Sequence, residues 1–129
     1  MLLADFYRYE TIYAQSLADK TKIETEIVFN PAHSIFKGHF PNLPVVPGVC
    51  MVQIVKEIGE RQLQQKLFLS SAGNIKFLAV LNPEVHQRVN VDVQLKPSGK
   101  DAFEMESKLY FGEVTFFKMK ADFLVRPKG

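Results

Sequence analysis

The sequence predicts an α+β domain in which an antiparallel sheet covers one helix. Two strand-like segments come first, one helical segment follows, and four more strand-like segments complete the chain. Strands and helix are therefore segregated along the chain rather than alternating, which is typical of α+β domains. With 129 residues the chain has the commonest size of a domain with one hydrophobic core, so we expect residues 1–129 to form a single domain.

Alternating side chains predict the first two strands. In residues 6–16, aromatic and β-branched residues recur at roughly every second position, as a half-buried strand requires. Residues 21–29 follow the same pattern, and four of their side chains share one face: Ile23, Thr25, Ile27 and Phe29. Residues 18–20 lie between the two segments, so we expect them to close a hairpin.

The helix is predicted from proline placement and apolar spacing. Residues 31–47 contain four prolines and one glycine, and they cannot form a regular helix or a central strand because each proline removes a donor and fixes φ. Pro47 suits a first helical turn, and apolar residues three or four apart follow it: Val49, Val52, Val55 and Ile58. We expect a helix over about residues 47–65. Its start is apolar on nearly all sides, so a sheet should wrap it.

Four further strands complete the predicted sheet. They cover residues 67–81, 85–95, 102–111 and 114–125, with turns at 82–83, 97–100 and 112–113. In the second of these segments, Val89, Val91, Val93 and Leu95 face one way and polar residues face the other.

Composition excludes several classes of protein. No apolar run reaches the ~18 residues of a membrane span, and no signal-peptide pattern opens the chain, so we expect a cytoplasmic protein. The net charge of +2 is small and its lysines and arginines are scattered, which argues against nucleic acid but allows an acidic protein partner. Cys50 has no second cysteine to pair with, and three scattered histidines do not give metal-ligand spacing.

One motif carries a specific signal. From Phe36 to Val49 the chain reads FKGHFPNLPVVPGV, with a histidine, two glycines and three prolines at fixed spacing. This stretch resembles the active-site signature of the 3-hydroxyacyl-[acyl-carrier-protein] dehydratases, F-x-G-H-F-P-x-x-P-x-x-P-G-V, without a gap. Residues 72–77 and 82–84 resemble the family's strand after the central helix. The resemblance implies the hotdog fold, in which an antiparallel sheet wraps one long central helix.

The resemblance also implies roles for particular residues. His39 would be the base that removes the α-proton of a 3-hydroxyacyl thioester, and the Gly48 amide would polarise the thioester carbonyl. Both roles suit the residue types, because histidine exchanges protons near neutral pH and a helix start offers unpaired amides. Phe40 and Val49, beside these two, are the other expected contacts of the substrate.

The chain departs from the family at its acid. The carboxylate of the family falls fourteen residues after the histidine, where this chain has Gln53, and the family's glutamine falls where this chain has Glu57. Residues four apart share a helix face about 6 Å apart along the axis, so Glu57 could supply the proton through a water held by Gln53. The alternative is that Glu57 belongs to a solvated face with its charged neighbours.

The resemblance leaves several functions open. A dehydratase of fatty-acid or related synthesis would act on acyl carrier protein or acyl-CoA substrates, whose phosphopantetheine arm arrives with the substrate, so no separate cofactor is expected. A catalytically silent acyl-binding or partner subunit and a hotdog thioesterase are the alternatives. Because the family's tunnel lies between two protomers, we expect a homodimer or a heterodimer with a related hotdog protein, and an open edge strand would favour such pairing.

Overall fold

Six strands and one long helix make up the part of the chain that the structure, a computed structural model, describes, which is residues 5–37 and 43–125. Strands β1 (Tyr7–Ser16) and β2 (Thr21–Phe29) precede a short 3-10 helix (Ser34–Lys37) and the helix α1 (Gly48–Leu63). Strands β3 (Leu67–Phe77), β4 (Arg88–Gly99), β5 (Ala102–Phe111) and β6 (Val114–Val125) follow.

All the strands belong to one antiparallel sheet with the order β1-β2-β4-β5-β6-β3. The hairpin β1–β2 and the meander β4–β5–β6 use the short connections that were predicted. Strand β3 follows α1 in the chain and pairs with the last strand, β6. Strands β1 and β3 therefore form the two edges of the sheet.

The core lies between the inner face of this sheet and α1. The helix buries six residues toward it: Cys50, Met51, Ile54, Val55, Ile58 and Gly59. Opposite them lie the buried valines and Leu95 of β4, as their alternation predicted. Burying a Val, Ile or Met side chain contributes about 1.5–3 kcal/mol. At Gly59 a Cβ would lie 2.9 Å from Met105 Cε, so the glycine permits the close approach of helix and sheet.

Several predicted boundaries differ from the observed ones. Strand β3 ends at Phe77 and β4 begins only at Arg88, because Asn82 organises a turn between them. The side-chain Oδ1 of Asn82 accepts a hydrogen bond from the Glu84 amide at 2.8 Å. The backbone carbonyl of Asn82 accepts a second one from the His86 amide, also at 2.8 Å. Strand β4 also continues to Gly99 through a bulge, and the turn that follows it contains Asp101 at φ 56°. The helix begins one residue later than predicted, with Pro47 as its N-cap.

No helix in the described ranges is both long enough and apolar enough to cross a membrane.

Candidate functional site

The start of α1 presents amide groups that the helix itself cannot satisfy. Pro47 is the N-cap and forms no side-chain cap, so the first-turn amides of Gly48 and Val49 have no acceptor within the helix. These amides and the helix dipole make this end a favourable place for a developing negative charge on oxygen. The side chain of Val49 is 70% exposed beside them.

Phe77 covers the backbone at the helix start. A Cβ at position 48 would lie 2.8 Å from Cε1 and Cζ of this ring, so only glycine permits the contact as it stands. The ring is itself 55% exposed and packs on Phe117 with the ring centroids 5.5 Å apart. The last residue of β3 therefore forms one wall of the site at Gly48.

Further along the helix, Gln53 and Glu57 contact each other directly. Gln53 Nε2 donates to Glu57 Oε2 at 3.0 Å, and the Tyr7 hydroxyl donates to Glu57 Oε1 at 2.8 Å. Each carboxylate oxygen thus accepts one hydrogen bond, from the helix on one side and from strand β1 on the other. Both Gln53 and Glu57 are half-buried.

Two tyrosines link this carboxylate to the surface. The hydroxyls of Tyr7 and Tyr9 lie 3.3 Å apart. Because the single proton of Tyr7 is given to Glu57, Tyr9 is the donor between the two. The Arg61 guanidinium lies 4.7 Å from the centre of the Tyr9 ring. The result is a chain of polar groups from Arg61 and Tyr9 through Tyr7 to Glu57.

The surroundings raise the pKa of both phenols. Burial is the largest cause of the raised pKa of Tyr7, and the hydroxyl of Tyr9 and the charge of Glu57 add to it. For Tyr9, burial also raises the pKa most, while the hydrogen bond with Tyr7 and the charge of Arg61 act in the opposite direction. Tyr7 therefore stays protonated and remains a hydrogen-bond donor well above neutral pH.

Cys50 packs in the core. Its side chain is fully buried, and burial followed by the charge of Glu57 raises the pKa of its thiol. A thiolate is the reactive form of cysteine, so these surroundings suppress its reactivity.

The two described histidines serve packing. The Nδ1 atom of His33 accepts the amide of Ile35 at 3.1 Å, and its ring meets Phe6 edge-on with centroids 5.3 Å apart. The ring of His86 packs on Phe111 and Phe116. Both lie in loops, and each is half-buried. Within residues 5–37 and 43–125, no group of three or more His, Cys, Asp or Glu side chains is placed to hold a metal ion.

The predicted site residues fall into two groups. Gly48, Val49, Gln53 and Glu57 all lie on α1, where Gln53 and Glu57 are in contact and Gly48 is about 7.5 Å from Gln53 along the axis. His39 and Phe40 lie outside the described residues. Tyr7 and Tyr9 were not among the predicted site residues. Their spacing of two places both on one face of β1, but nothing in the sequence indicates that this face meets the helix carboxylate.

Comparison with solved structures identifies the fold. A chain of known structure from Erwinia carotovora subsp. atroseptica, described as uncharacterized, superposes with a TM-score of 0.70 at 19% identity, covering 94% of this chain and 96% of that one. A putative thioesterase, yhdA, from Lactococcus lactis superposes at 0.69 with 13% identity over the whole of both chains. The dehydratase heterocomplex ApeI:P from Xenorhabdus doucetiae gives 0.63 at 20% identity, covering 91% and 96%. The chain is thus a hotdog-fold protein.

Comparison of sequences gives the family. The family model of ApeI-like proteins, described as ApeI dehydratase, matches residues 15–113. The chain therefore belongs to the ApeI-like dehydratase family. A 3-hydroxyacyl-[acyl-carrier-protein] dehydratase, FabZ, from Geobacillus thermodenitrificans (strain NG80-2) is 31% identical over 67 residues. That match spans 46% of this chain and 46% of the relative's length.

Proposed function

We propose that this protein removes water from a 3-hydroxyacyl thioester and releases the trans-2-enoyl thioester. Family membership supports this reaction class. The observation that carries the proposal is the carboxylate of Glu57, held by Gln53 and Tyr7 one helical turn beyond the position where dehydratases place their acid. The chain thus retains a half-buried carboxylate on the central helix although position 53 is an amide.

The elimination has two parts. A base removes a proton from the substrate, and the hydroxyl group leaves as water. A base takes the C2 proton, the thioester oxygen bears the resulting negative charge, and the C3–O bond then breaks as its oxygen receives a proton. In this proposal His39 is the base and the Gly48 amide stabilises the charged oxygen, since a helix N-terminus is a favourable site for it. Glu57 is the group that delivers a proton to the leaving oxygen, which departs as water. The proton that His39 took from C2 returns to Glu57 before the next turnover, so the elimination releases one water and restores both residues.

The Gln53–Glu57 contact gives the two side chains separate tasks. The Gln53 amide has no proton to release at neutral pH, but it can hold a hydroxyl or a water by hydrogen bonds. Glu57 can carry a proton and lies about 6 Å further along the helix axis. We therefore assign the positioning of the leaving hydroxyl to Gln53 and the proton transfer to Glu57, with Tyr7 as the residue that holds Glu57 in place.

We also propose that the working unit is a dimer formed along β3. This strand is paired only with β6 among the described strands, and most of its residues are exposed in the single chain. Several large apolar side chains lie exposed along and just after it: Phe68, Leu69, Phe77, Leu78 and Val80. An open, apolar edge of this kind favours pairing with another hotdog chain.

The substrate class follows from the same family. We propose a 3-hydroxyacyl chain carried on acyl carrier protein or coenzyme A, in fatty-acid or related acyl-chain synthesis. The phosphopantetheine arm belongs to the substrate, so the protein needs no further organic cofactor for the elimination.

The test is to incubate the pure protein with a 3-hydroxyacyl thioester on acyl carrier protein and to measure enoyl thioester and free acid separately. Formation of the enoyl product without free acid is the expected result. Free acid as the main product would instead support a thioesterase, the activity ascribed to the Lactococcus neighbour.

A second candidate is a partner subunit whose own site is silent. The amide at position 53 favours it, and the Xenorhabdus neighbour is described as a dehydratase heterocomplex, ApeI:P. A related hotdog chain carrying glutamate at the corresponding position would then complete the site. Co-purification of two such chains, with enoyl formation absent from each alone and present in the complex, is the expected result for this candidate. Full activity from the single pure chain would exclude it.

A further inference from the structure

Three lysines lie side by side on the outer face of the sheet, the face turned away from α1. Lys118 of β6 is directly opposite Lys108 of β5 and directly opposite Lys76 of β3. We call these three residues the lysine row. Directly opposed side chains in a sheet lie about 4.5–5.5 Å apart at Cβ, and like charges at that distance destabilise the pair. The fold therefore carries a repulsion here that needs an explanation.

Several neighbouring charges on this face are paired, although Lys22 and Glu24 of β2 form no ion pair among the described residues. Lys120, next to the row, lies 3.7 Å from Glu104 and 3.8 Å from Glu106. Arg88 lies 3.3 Å from carboxylates of both Glu10 and Glu26. The lysine row differs, because among the described residues no carboxylate lies within 4.0 Å of Lys76 or Lys118. Only Lys108, at the end of the row, has such a neighbour, with Asp92 at 3.9 Å.

The row borders a shallow groove rather than a flat surface. The groove has a volume of about 510 Å³ and runs over the outer face from β2 to β3. Asp92 shares the groove with the lysines, and burial raises the pKa of its carboxyl despite the nearby ammonium of Lys108. The groove can therefore receive a bound segment and partly shield its charges from water.

The lysine row ends at β5. In the strand register, Lys108 is opposite Asp92, and Asp92 is opposite Glu24 on β2. Two further charges line the groove: Glu106 of β5, which is paired with Lys120, and Lys22 of β2. A long polyanion such as a nucleic-acid strand would meet the carboxylates of Asp92 and Glu24 beyond Lys108, so the row fits a short anionic segment that ends near β5.

We propose that the lysine row docks an acidic helix of a partner protein, lying across β5, β6 and β3. Neighbouring strands are about 4.7–4.9 Å apart, and an α-helix advances about 5.4 Å per turn. A helix laid perpendicular to the strands therefore brings one side chain per turn opposite each lysine. Aspartate or glutamate at three- or four-residue spacing on one face would neutralise the two unpaired ammonium groups.

The test uses the full chain and a labelled synthetic peptide that forms a helix with glutamates four residues apart on one face. Fluorescence anisotropy gives the dissociation constant for the wild type, for Lys118→Glu and for Lys76→Glu. Lys100→Glu is the matched control, because it makes the same change in net charge at an exposed turn residue outside the row. A peptide with glutamines in place of the glutamates is the matched control for the ligand.

The proposal requires each substitution in the row to weaken binding at least about 5-fold, and Lys100→Glu to change it less than 2-fold. Raising the salt concentration should weaken wild-type binding, since the contacts are exposed ion pairs. Lys118→Glu should also raise the melting temperature by about 1–4 °C, because a carboxylate then stands between two lysines. That rise would establish that the variant folds while its binding is lost.

Equal effects of Lys118→Glu and Lys100→Glu would overturn the proposal, since binding would then depend on net charge alone. Undetectable binding of the glutamate peptide to the wild type would overturn it as well. Tighter binding of a single-stranded oligonucleotide with the same number of charges would also overturn it and would point to a phosphate backbone as the ligand. Lys118→Gln, which removes the charge without reversing it, gives an independent measure should the reversed variant fail to fold.

Discussion

The two edges of the sheet reach the same helix with different side chains. From β1, Tyr7 extends its hydroxyl to the carboxylate of Glu57 in the middle of α1. From β3, the ring of Phe77 packs against the backbone of Gly48 at the start of the helix. The sheet therefore curls far enough for both edges to contact α1. One edge contributes a polar contact to a carboxylate, and the other contributes an apolar wall beside the first-turn amides, which have no acceptor within the helix.

The two edge strands also differ in the side chains that they expose to solvent. Strand β1 carries charged residues such as Arg8 and Glu10, which pair with each other, and Glu10 pairs again with Arg88 of β4. Strand β1 also exposes Ile12 and Tyr13, but strand β3 exposes Phe68, Leu69 and Phe77 and has no residue in an ion pair with another described residue. Charged side chains protect an edge strand against association, whereas exposed apolar side chains leave it open to pairing. The comparison supports the β3 edge, rather than the β1 edge, as the interface of the proposed dimer.

The largest expected effect comes from placing a charge on the open edge. Leu69→Lys buries an ammonium group in the proposed interface, where an unpaired charge costs several kcal/mol, so the dimer dissociation constant should rise on the order of 100-fold or more. Sedimentation velocity at micromolar concentration should then show the 14.7 kDa monomer.

Ile12→Lys is the matched control on the other edge. Ile12 of β1 is 41% exposed and Leu69 of β3 is 42% exposed, so the two substitutions start from the same surface burial. The Ile12 variant should remain dimeric. Dissociation by Ile12→Lys but not by Leu69→Lys would reverse the assignment of the two edges. A wild type that sediments only as a monomer would overturn the proposed dimer.

A smaller effect is expected from removing the Tyr7 hydroxyl. Tyr7→Phe keeps the ring but leaves one oxygen of the half-buried Glu57 without its donor, which should lower the free energy of unfolding by about 1–3 kcal/mol. Chemical denaturation of the wild type and the variant measures this difference in the free energy of unfolding. Tyr13→Phe on the same strand is the control, because Tyr13 is 61% exposed and its loss should change stability by less than about 0.5 kcal/mol. Equal losses in both variants would mean that the Glu57 contact contributes nothing specific.

The smallest expected effect is a difference between the wild type and Tyr7→Phe in how the free energy of unfolding depends on pH. The pKa of Tyr7 is raised above 10.0 in the folded state, so the folded chain keeps a proton that the unfolded chain loses. The contribution of Tyr7 to the free energy of unfolding is fully present below pH 10.0. It is lost as pH rises above 10.0 toward the pKa of Tyr7 in the folded state. One such group contributes a slope of at most about 1.4 kcal/mol per pH unit. The slope should be shallower in Tyr7→Phe, and an unchanged slope would contradict the burial of this phenol.

The sequence predicted most of the fold because its signals are local. Alternation in β2 and β4 and the apolar spacing of α1 gave the strand faces and the helix almost to the residue. The errors lie where long-range contacts or turn chemistry decide. Asn82 shortens β3 and delays β4 through side-chain and backbone hydrogen bonds that no periodicity records. Likewise, the position of β3 at the sheet edge depends on pairing with the distant β6.

The site was predictable only along the helix. The spacing of four between Gln53 and Glu57 places both on one helix face, and their hydrogen bond confirms that they meet there. The contact with Tyr7 joins residues fifty positions apart, and it depends on the curvature of the whole sheet. The lysine row likewise joins three strands, so its members become neighbours only once the register is known.

The most direct test of the account is the rate of enoyl formation in Glu57→Gln. If Glu57 carries the proton, this substitution should lower kcat by about 10²–10⁴-fold with little change in KM. Glu60→Gln is the matched control, since Glu60 lies on the same helix, is half-buried and accepts the Leu67 amide, a bond that glutamine can keep. The account predicts near-normal activity for Glu60→Gln. An active wild type that Glu57→Gln leaves unchanged, or an inactive wild type that gains dehydration with Gln53→Glu, would contradict it.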